Sequence, residues 1–393
     1  MPGDGRALHL AVALDGAGWH PAAWREPDAR PRELFTARYW ADLVAECERG
    51  LLDFVTLEDS LGPQQPYSPA LVQGRLDAVL VAARIAPLTR HIGLIPTAIV
   101  THTEPFHLSK AIATLDYISS GRAGVRVQVT ASPEHAAHFG RRTIEAGPQL
   151  AGDLFAEAAD YVEVMRRLWD SWEDDAEIRD AATGRFADAG KLHYIDFEGQ
   201  RFNVKGPSIT PRPPQGQPVV AALAHRDVAY DLGGRAADVV FVTPRDRAHA
   251  TDLVQRIGDA QQDAGRQEQT VHVFADLLVY LDETAATAGA RRTRLDERAG
   301  GQHASDALAF AGTPGQLAGL LLDWQGAGLT GFRLRPAAIP HDLTQITRAL
   351  VPELQRRSPF RQEYESATLR GLLGLWRPAS RYAGMTASQE ATS

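Results

Sequence analysis

The sequence predicts an α/β protein, a single large (β/α)₈ barrel of the TIM type with insertions, and three observations carry that expectation. Residues 76–130 read as helix, strand, polar loop, helix and strand: apolar residues recur at helical spacing in the two helical pieces, and the strands are short apolar or β-rich runs. Two strands joined by a crossover helix make a parallel unit. The same alternation precedes this stretch and resumes after it, and 393 residues with 44% hydrophobic content can bury the core of such a barrel.

In chain order, residues 8–14 form an apolar strand followed by a Gly- and Pro-broken loop that carries Trp19, His20 and Trp24. Residues 35–49 have helical periodicity with Gly50 as the stop, and the strand at 53–57 runs into Glu58 and Asp59. A Pro-rich loop at 62–69 leads to a helix at 76–86, a strand at 91–95, a helix at 106–119 and a strand at 123–129. The helix at 153–172 places Leu154, Tyr161, Met165 and Leu168 on one stripe. Residues 173–214 break the rhythm and read as an insertion with a short hairpin over 194–204. Strands at 218–223, 238–242 and 270–281 then alternate with helices at 226–235 and 247–264. Residues 282–312 read as a helix broken by a mobile loop, Thr313 and Pro314 start another helix, 331–335 is the eighth strand and 341–356 the closing helix. The expected organisation is one barrel domain over 1–375, with the insertion extending to about 215, and a disordered tail at 376–393.

A formal net charge of −8 argues against nucleic-acid and anionic-membrane partners, which call for a clustered basic face. Cys47 is the single cysteine and reads as a buried small hydrophobe, since no neighbouring His or Lys would stabilise a thiolate. The start MPGDGRALHL lacks a basic region followed by an apolar stretch, and no apolar run approaches the ~20 residues that span a bilayer, so a soluble cytoplasmic protein is expected. No phosphate-binding glycine motif, serine-nucleophile elbow or metal-ligand spacing is present, and His135 and His138 read as surface histidines. The polar residues just past strand ends, above all the loop at 97–107, are the first functional candidates, because parallel α/β folds bind ligands there.

Several of these stretches resemble the bacterial-luciferase-like flavin-dependent monooxygenases. They are LHLAVAL with HPAAWR, RYWADLVAECERGLLDFVTLEDSLG, the 76–124 run, SWEDDAEIRDAATGRFADAGKLHYIDFEGQRFNVKGP, and VPELQRRSPFRQEYESATLRGLLG. Within that superfamily the likeness is to the branch of nitrilotriacetate, dibenzothiophene-sulfone and long-chain alkane monooxygenases, and it covers nearly the whole chain in order. The resemblance implies a luciferase-like barrel with reduced FMN at its C-terminal mouth, supplied by a separate NAD(P)H:flavin reductase. A flavin C4a-(hydro)peroxide then oxygenates a small organic substrate with O₂, and the cofactor carries the hard chemistry. It also implies a homodimer or tetramer. Two other readings keep the fold: an oxidoreductase using the deazaflavin F420, and a non-catalytic barrel that has lost productive flavin binding.

By the resemblance, Asp59 and Thr101 stand where the family contacts the flavin; on their own chemistry, Asp59 could instead cap the following helix and Thr101 make a turn contact. At the phosphate end Ala151 and Phe155 replace the family's His and Tyr, and the loop after the fifth strand reads AALAHRDVAY rather than Gly/Ser-rich. A desolvated phosphate needs donors or cations, which His225, Arg226 or Arg126 would supply, Arg226 best because it adds a forked cation at a helix start. His20, His102 and His107 are the candidates for proton handling near the flavin, although each could be an ordinary loop or cap residue.

Overall fold

The computed structural model describes residues 8–62 and 70–383. Of the Pro-rich loop expected at 62–69, all but its first residue lies outside that range, as does 384–393 of the expected tail. The strands are β1 (His9–Leu14), β2 (Phe54–Leu57), β3 (Gly93–Ile99), β4 (Gly124–Gln128), β5 (Glu177–Asp180), β6 (Arg185–Ala187), β7 (Phe197–Glu198), β8 (Asn203–Val204), β9 (Val219–Leu223), β10 (Val239–Val242), β11 (His272–Leu281), β12 (Leu308–Gly312) and β13 (Gly331–Pro336). The helices are α1 (Ala37–Arg49), α2 (Ala78–Ile85), α3 (Pro105–Ile118), α4 (Pro133–Phe139), α5 (Leu150–Asp170), α6 (Asp227–Ala236), α7 (Arg247–Asp263), α8 (Ala285–Ala299), α9 (Pro314–Gln325), α10 (His341–Gln345), α11 (Val351–Arg357) and α12 (Leu369–Leu372), with a π-helical turn at Ile346–Leu350.

Eight parallel strands close into the expected barrel in the order β1-β2-β3-β4-β9-β10-β11-β13, with β13 returning to β1. The helices start where the sequence supplies caps: Thr36 accepts from Tyr39 N at α1, Asp77 from Leu80 N at α2, and Thr313 forms a capping box with Gln316 ahead of Pro314. The outer faces of the strands pack on the helices in one large apolar layer. The inner faces build a smaller cluster from Ala11, Phe54, Ile95, Val219, Phe241 and Phe274.

That inner cluster is closed from below by the chain's last stretch. Leu369, Leu373 and Leu375 join it, Leu369 N donates to Gly121 O, and Arg361 reaches the buried Asp53 at 2.7 Å. Gly93 is required there, because a Cβ at this position would lie 2.5 Å from Leu369 and 2.9 Å from Phe54. Of the expected tail, residues 376–383 are held by Arg377 and Arg381, which pair with Asp174 and Glu163.

Two regions differ from the sequence reading. Across 282–312, α8 runs unbroken to its cap at Gly300, and 308–312 forms β12, a ninth parallel strand. The ten-residue β11 extends past β10, so its second half is free to pair with Leu308–Gly312. The insertion holds the expected β7–β8 hairpin and also β5–β6, whose polar, exposed strands lack the apolar alternation that reveals a strand.

Candidate active site at the barrel mouth

Above the apolar layer, the inward-facing positions become charged. Strand alternation turns Arg333 and Arg335 of β13 inward on either side of Leu334, Asp276 inward from β11 and Arg126 inward from β4. Arg333 and Asp276 are fully buried and Arg335 is 2% exposed. Buried charges persist only when paired and hydrogen-bonded, and these are. Arg333 Nε donates to Asp276 Oδ1 at 2.7 Å, while Arg335 donates through Nε to Asp276 Oδ2 at 3.0 Å and through Nη1 to Asp306 at 2.5 Å. Arg126 pairs with Glu58 and donates through Nε to Thr97 Oγ1 at 3.0 Å.

Burial alone would push the Asp276 carboxyl up, but Arg333 and Arg335 outweigh it and hold it below the usual carboxylate range. Arg126, deep in the wall, is pulled down to about 10 by desolvation despite Glu58. The Arg333 guanidinium also lies 3.8 Å from the Phe241 ring centre and Arg335 lies 4.5 Å from that of Trp19, which joins the charged layer to apolar rings on both sides.

Over this layer opens a cavity of about 410 Å³ at the C-terminal ends of the strands, within the usual size range of small-molecule sites. Arg126, Arg333 and Arg335 form its floor, Leu154, Phe155 and Leu223 its apolar wall, and Trp19, His225, Arg226 and Asp306 its rim. Arg226 is the N-cap residue of α6 and is exposed, and its side chain makes no capping hydrogen bond. Among the described residues neither Arg226 nor His225 has a side-chain partner.

The profile of the luciferase-like monooxygenase family matches residues 17–329. The chain belongs to that family. Nitrilotriacetate monooxygenase component A from Aminobacter aminovorans is 30% identical over 97% of this chain and 99% of its own length. N-acetyl-S-(2-succino)cysteine monooxygenase from Bacillus subtilis is 29% identical over 98% of this chain and all of its own. A riboflavin lyase, solved with modified FMN and riboflavin, matches with a TM-score of 0.85 at 25% identity, covering 98% of this chain and 99% of that one.

In this luciferase-like monooxygenase the mouth gathers four of the residues singled out in the sequence: Arg126, Phe155, His225 and Arg226. The others lie around it. Asp59 accepts from Ser60 N at 2.7 Å and Ala78 N at 2.9 Å, so its carboxylate binds the first turn of α2, and burial raises its pKa. Asp59 and the exposed His107, on the first turn of α3, line a separate cavity of about 350 Å³ between α2 and α3. Thr101 is buried and its hydroxyl accepts from Thr130 N at 2.9 Å, tying the loops after β3 and β4 together.

His20 is buried beside a narrow slot that also holds Asp15 and Glu58. Its Nδ1 accepts from Ala22 N at 3.1 Å, which leaves the proton on Nε2, 3.1 Å from Asp296 Oδ1. Burial outweighs that carboxylate and lowers the imidazole's pKa. His102 stacks on Phe139 with ring centres 5.4 Å apart, and its buried Nε2 has no hydrogen-bond partner among the described residues. Burial, Arg142 and His135 all lower its pKa. Cys47 is buried with its thiol pushed up, and among the described residues no cluster could hold a metal ion.

The sequence reading passed over Asp276, Arg333 and Arg335 as site residues. The signal for the arginines was present: GFRLRP carries two guanidiniums at strand spacing in an otherwise apolar strand, which puts both on one face.

Proposed function

We propose that this luciferase-like monooxygenase binds reduced FMN in the mouth cavity, receives it from a separate NAD(P)H:flavin reductase, and uses O₂ to oxygenate a small organic substrate, working in the cytoplasm as a homodimer or tetramer. The observation that carries the reading is the convergence of Arg126, Phe155, His225 and Arg226 on one cavity at the barrel's C-terminal end. The residues present suit the cofactor's two parts. Uncommitted nitrogens of Arg226 and His225 at the start of α6 suit a phosphate, and the wall of Leu154, Phe155 and Leu223 suits a planar ring. When bound, reduced FMN would supply the electrons that activate O₂.

The chain's own residues have distinct tasks in this reading. Arg226 replaces the phosphate ligands lost at Ala151 and Phe155, while Phe155 and the leucines keep water from the reacting face. Arg126 and Arg335 stay charged in the floor because Glu58, Asp276 and Asp306 neutralise them, so the cavity meets no bare cation there. His20, held with its proton on Nε2 by Asp296, and His102, with a free Nε2, are the proton-handling groups; His107 joins them only if substrate extends between α2 and α3.

Anaerobic titration of the apoprotein with FMNH₂, FMN and F420 tests the reading. Micromolar FMNH₂ binding with reductase- and O₂-dependent turnover is the expected result. Selective F420 binding, or binding of none of the three, would replace it with the deazaflavin or non-catalytic alternative. Arg226→Ala should weaken FMNH₂ binding about tenfold, the loss of one charge-assisted contact of about 1.4 kcal/mol. An unchanged affinity would remove Arg226 from the phosphate site.

A further inference from the structure

The opposite end of the barrel contains a concavity of about 640 Å³ whose inner wall is made by Arg166 of α5, Arg266 ahead of β11 and Arg370 of α12. These guanidiniums are mostly covered: 15% of the Arg166 side chain and 11% of Arg370 is exposed. They share one buried carboxylate. Asp238 accepts from Arg166 Nη2 at 2.9 Å and lies 3.6 Å from Arg370 Nη1, and Arg266 reaches it only through space. Their other bonds go to neutral acceptors: Arg266 to Gly234 O and Ala237 O, Arg370 to Gln217 O and Trp376 O, Arg166 to Ala236 O. The remaining carboxylates of the concavity are spent elsewhere or solvated. Glu163 pairs with Arg381, Asp170 with Arg212, and Glu268 is exposed.

We propose that this concavity is a second binding site, for the phosphate of a mononucleotide-class ligand whose planar base packs on Trp376. Three partly desolvated cations around one anion leave two positive charges without a counter-ion, an arrangement that burial makes costly and a phosphate dianion completes. Forked guanidiniums suit tetrahedral oxyanions, and among the described residues Arg370 Nη2 has no acceptor. Burial, reinforced by Arg166 and only partly offset by Asp238, depresses the Arg266 guanidinium to about 10. The base is assigned from Trp376, whose residue lines the concavity, is 90% exposed and is fixed through its carbonyl by Arg370. An indole so exposed offers a stacking face beside the anion site.

Calorimetric titration with AMP and with inorganic phosphate tests the site. AMP should bind the wild-type protein with one equivalent at this end. Trp376→Ala, at a residue too exposed to threaten the fold, should weaken AMP about tenfold and leave phosphate binding unchanged. Arg370→Met should weaken both ligands. No AMP binding up to millimolar concentration, or AMP binding indifferent to Trp376→Ala and Arg370→Met, would overturn the proposal. Phosphate binding without any AMP preference would overturn the mononucleotide class.

Discussion

The two ends of the barrel are each built around three buried or half-buried arginines, and they are balanced differently. At the mouth, Arg126, Arg333 and Arg335 meet Glu58, Asp276 and Asp306. At the opposite end, Arg166, Arg266 and Arg370 share Asp238. A matched layer can form the floor of a cavity that takes a largely apolar ring, because no uncompensated field is left to organise water above it. An unmatched one is completed only by an anion from outside. Among the described residues, the polar side chains lining the mouth without a partner, Arg226 and His225, stand at the rim, where the proposed cofactor's phosphate would be held.

The largest expected effect comes from breaking the balance at the mouth. Asp276→Ala would take from Arg333 and Arg335 the buried carboxylate they share, leaving, among the described carboxylates, Arg333 only Glu58 at 3.4 Å and Arg335 only Asp306 at the rim, and removing one partner from a buried ion pair costs about 3–5 kcal/mol. A fall of that order in unfolding free energy, read from urea titration, is expected. The sign with pH follows from the Asp276 shift: its folded-state pKa lies below the ordinary 3.8, so its stabilisation is complete above that value and is lost as pH falls through the folded one. The gap between wild type and variant should therefore be widest at neutral pH and close in acid. A neutral-pH loss under about 1 kcal/mol would mean that the layer is not the coupled unit described.

How much of this could be read from the sequence depends on how local each feature is. The barrel was legible because its strands are short apolar runs punctuated by amphipathic helices, and the mouth residues are local to them: Arg126 lies within β4, Phe155 on the long helix that follows it, and His225 and Arg226 just beyond the end of β9. Asp59 and Thr101 could be placed past strand ends, but that each holds a backbone N–H group, the alternative its chemistry also allowed, depends on neighbours the local sequence does not name. β12 was missed because LAFAG gains its meaning only from the overhanging half of β11. The lower arginine cluster was out of reach altogether, since Arg166, Arg266 and Arg370 come together from segments about 100 residues apart.

The next largest effect is at the lower end, where His272 points into the apolar layer. Its Nε2 donates to Leu373 O at 2.8 Å, its buried Nδ1 has no partner among the described residues, and its ring lies edge-on to His9 at 5.1 Å. Desolvation, with His9 adding to it, lowers its pKa from 6.5 to about 4. In the unfolded chain the imidazole takes up a proton as pH drops below 6.5, and in the fold it does not until about 4. Stability is thus full above pH 6.5 and falls by up to about 1.4 kcal/mol per pH unit between these values. His20, His102, His135 and His303 are depressed too, so the wild-type slope sums several groups. His272→Gln, which retains a donor for Leu373 O, should flatten the slope between pH 6.5 and 4; an unchanged slope would show that His272 is solvated there.

Asp306→Asn should give the smallest effect, and it tests where the matched layer ends. Arg335 holds two carboxylates, Asp276 inside the wall and Asp306 at the rim, with 48% of the Asp306 side chain exposed. Burial opposes ionisation of Asp306, but Arg335 wins and keeps its pKa below the ordinary value. Water screens a pair of this kind, so its loss should cost less than about 1 kcal/mol, whereas the same Arg335 loses far more when Asp276 is removed. The substitution also leaves the layer of Arg126, Arg333 and Arg335 with one more positive charge than negative. If the matched layer suits an apolar ring and Arg226 alone meets the phosphate, the Asp306→Asn protein should gain affinity for inorganic phosphate at the mouth while its unfolding midpoint barely moves. A stability loss as large as that of Asp276→Ala would place Asp306 inside the balanced unit rather than at its edge.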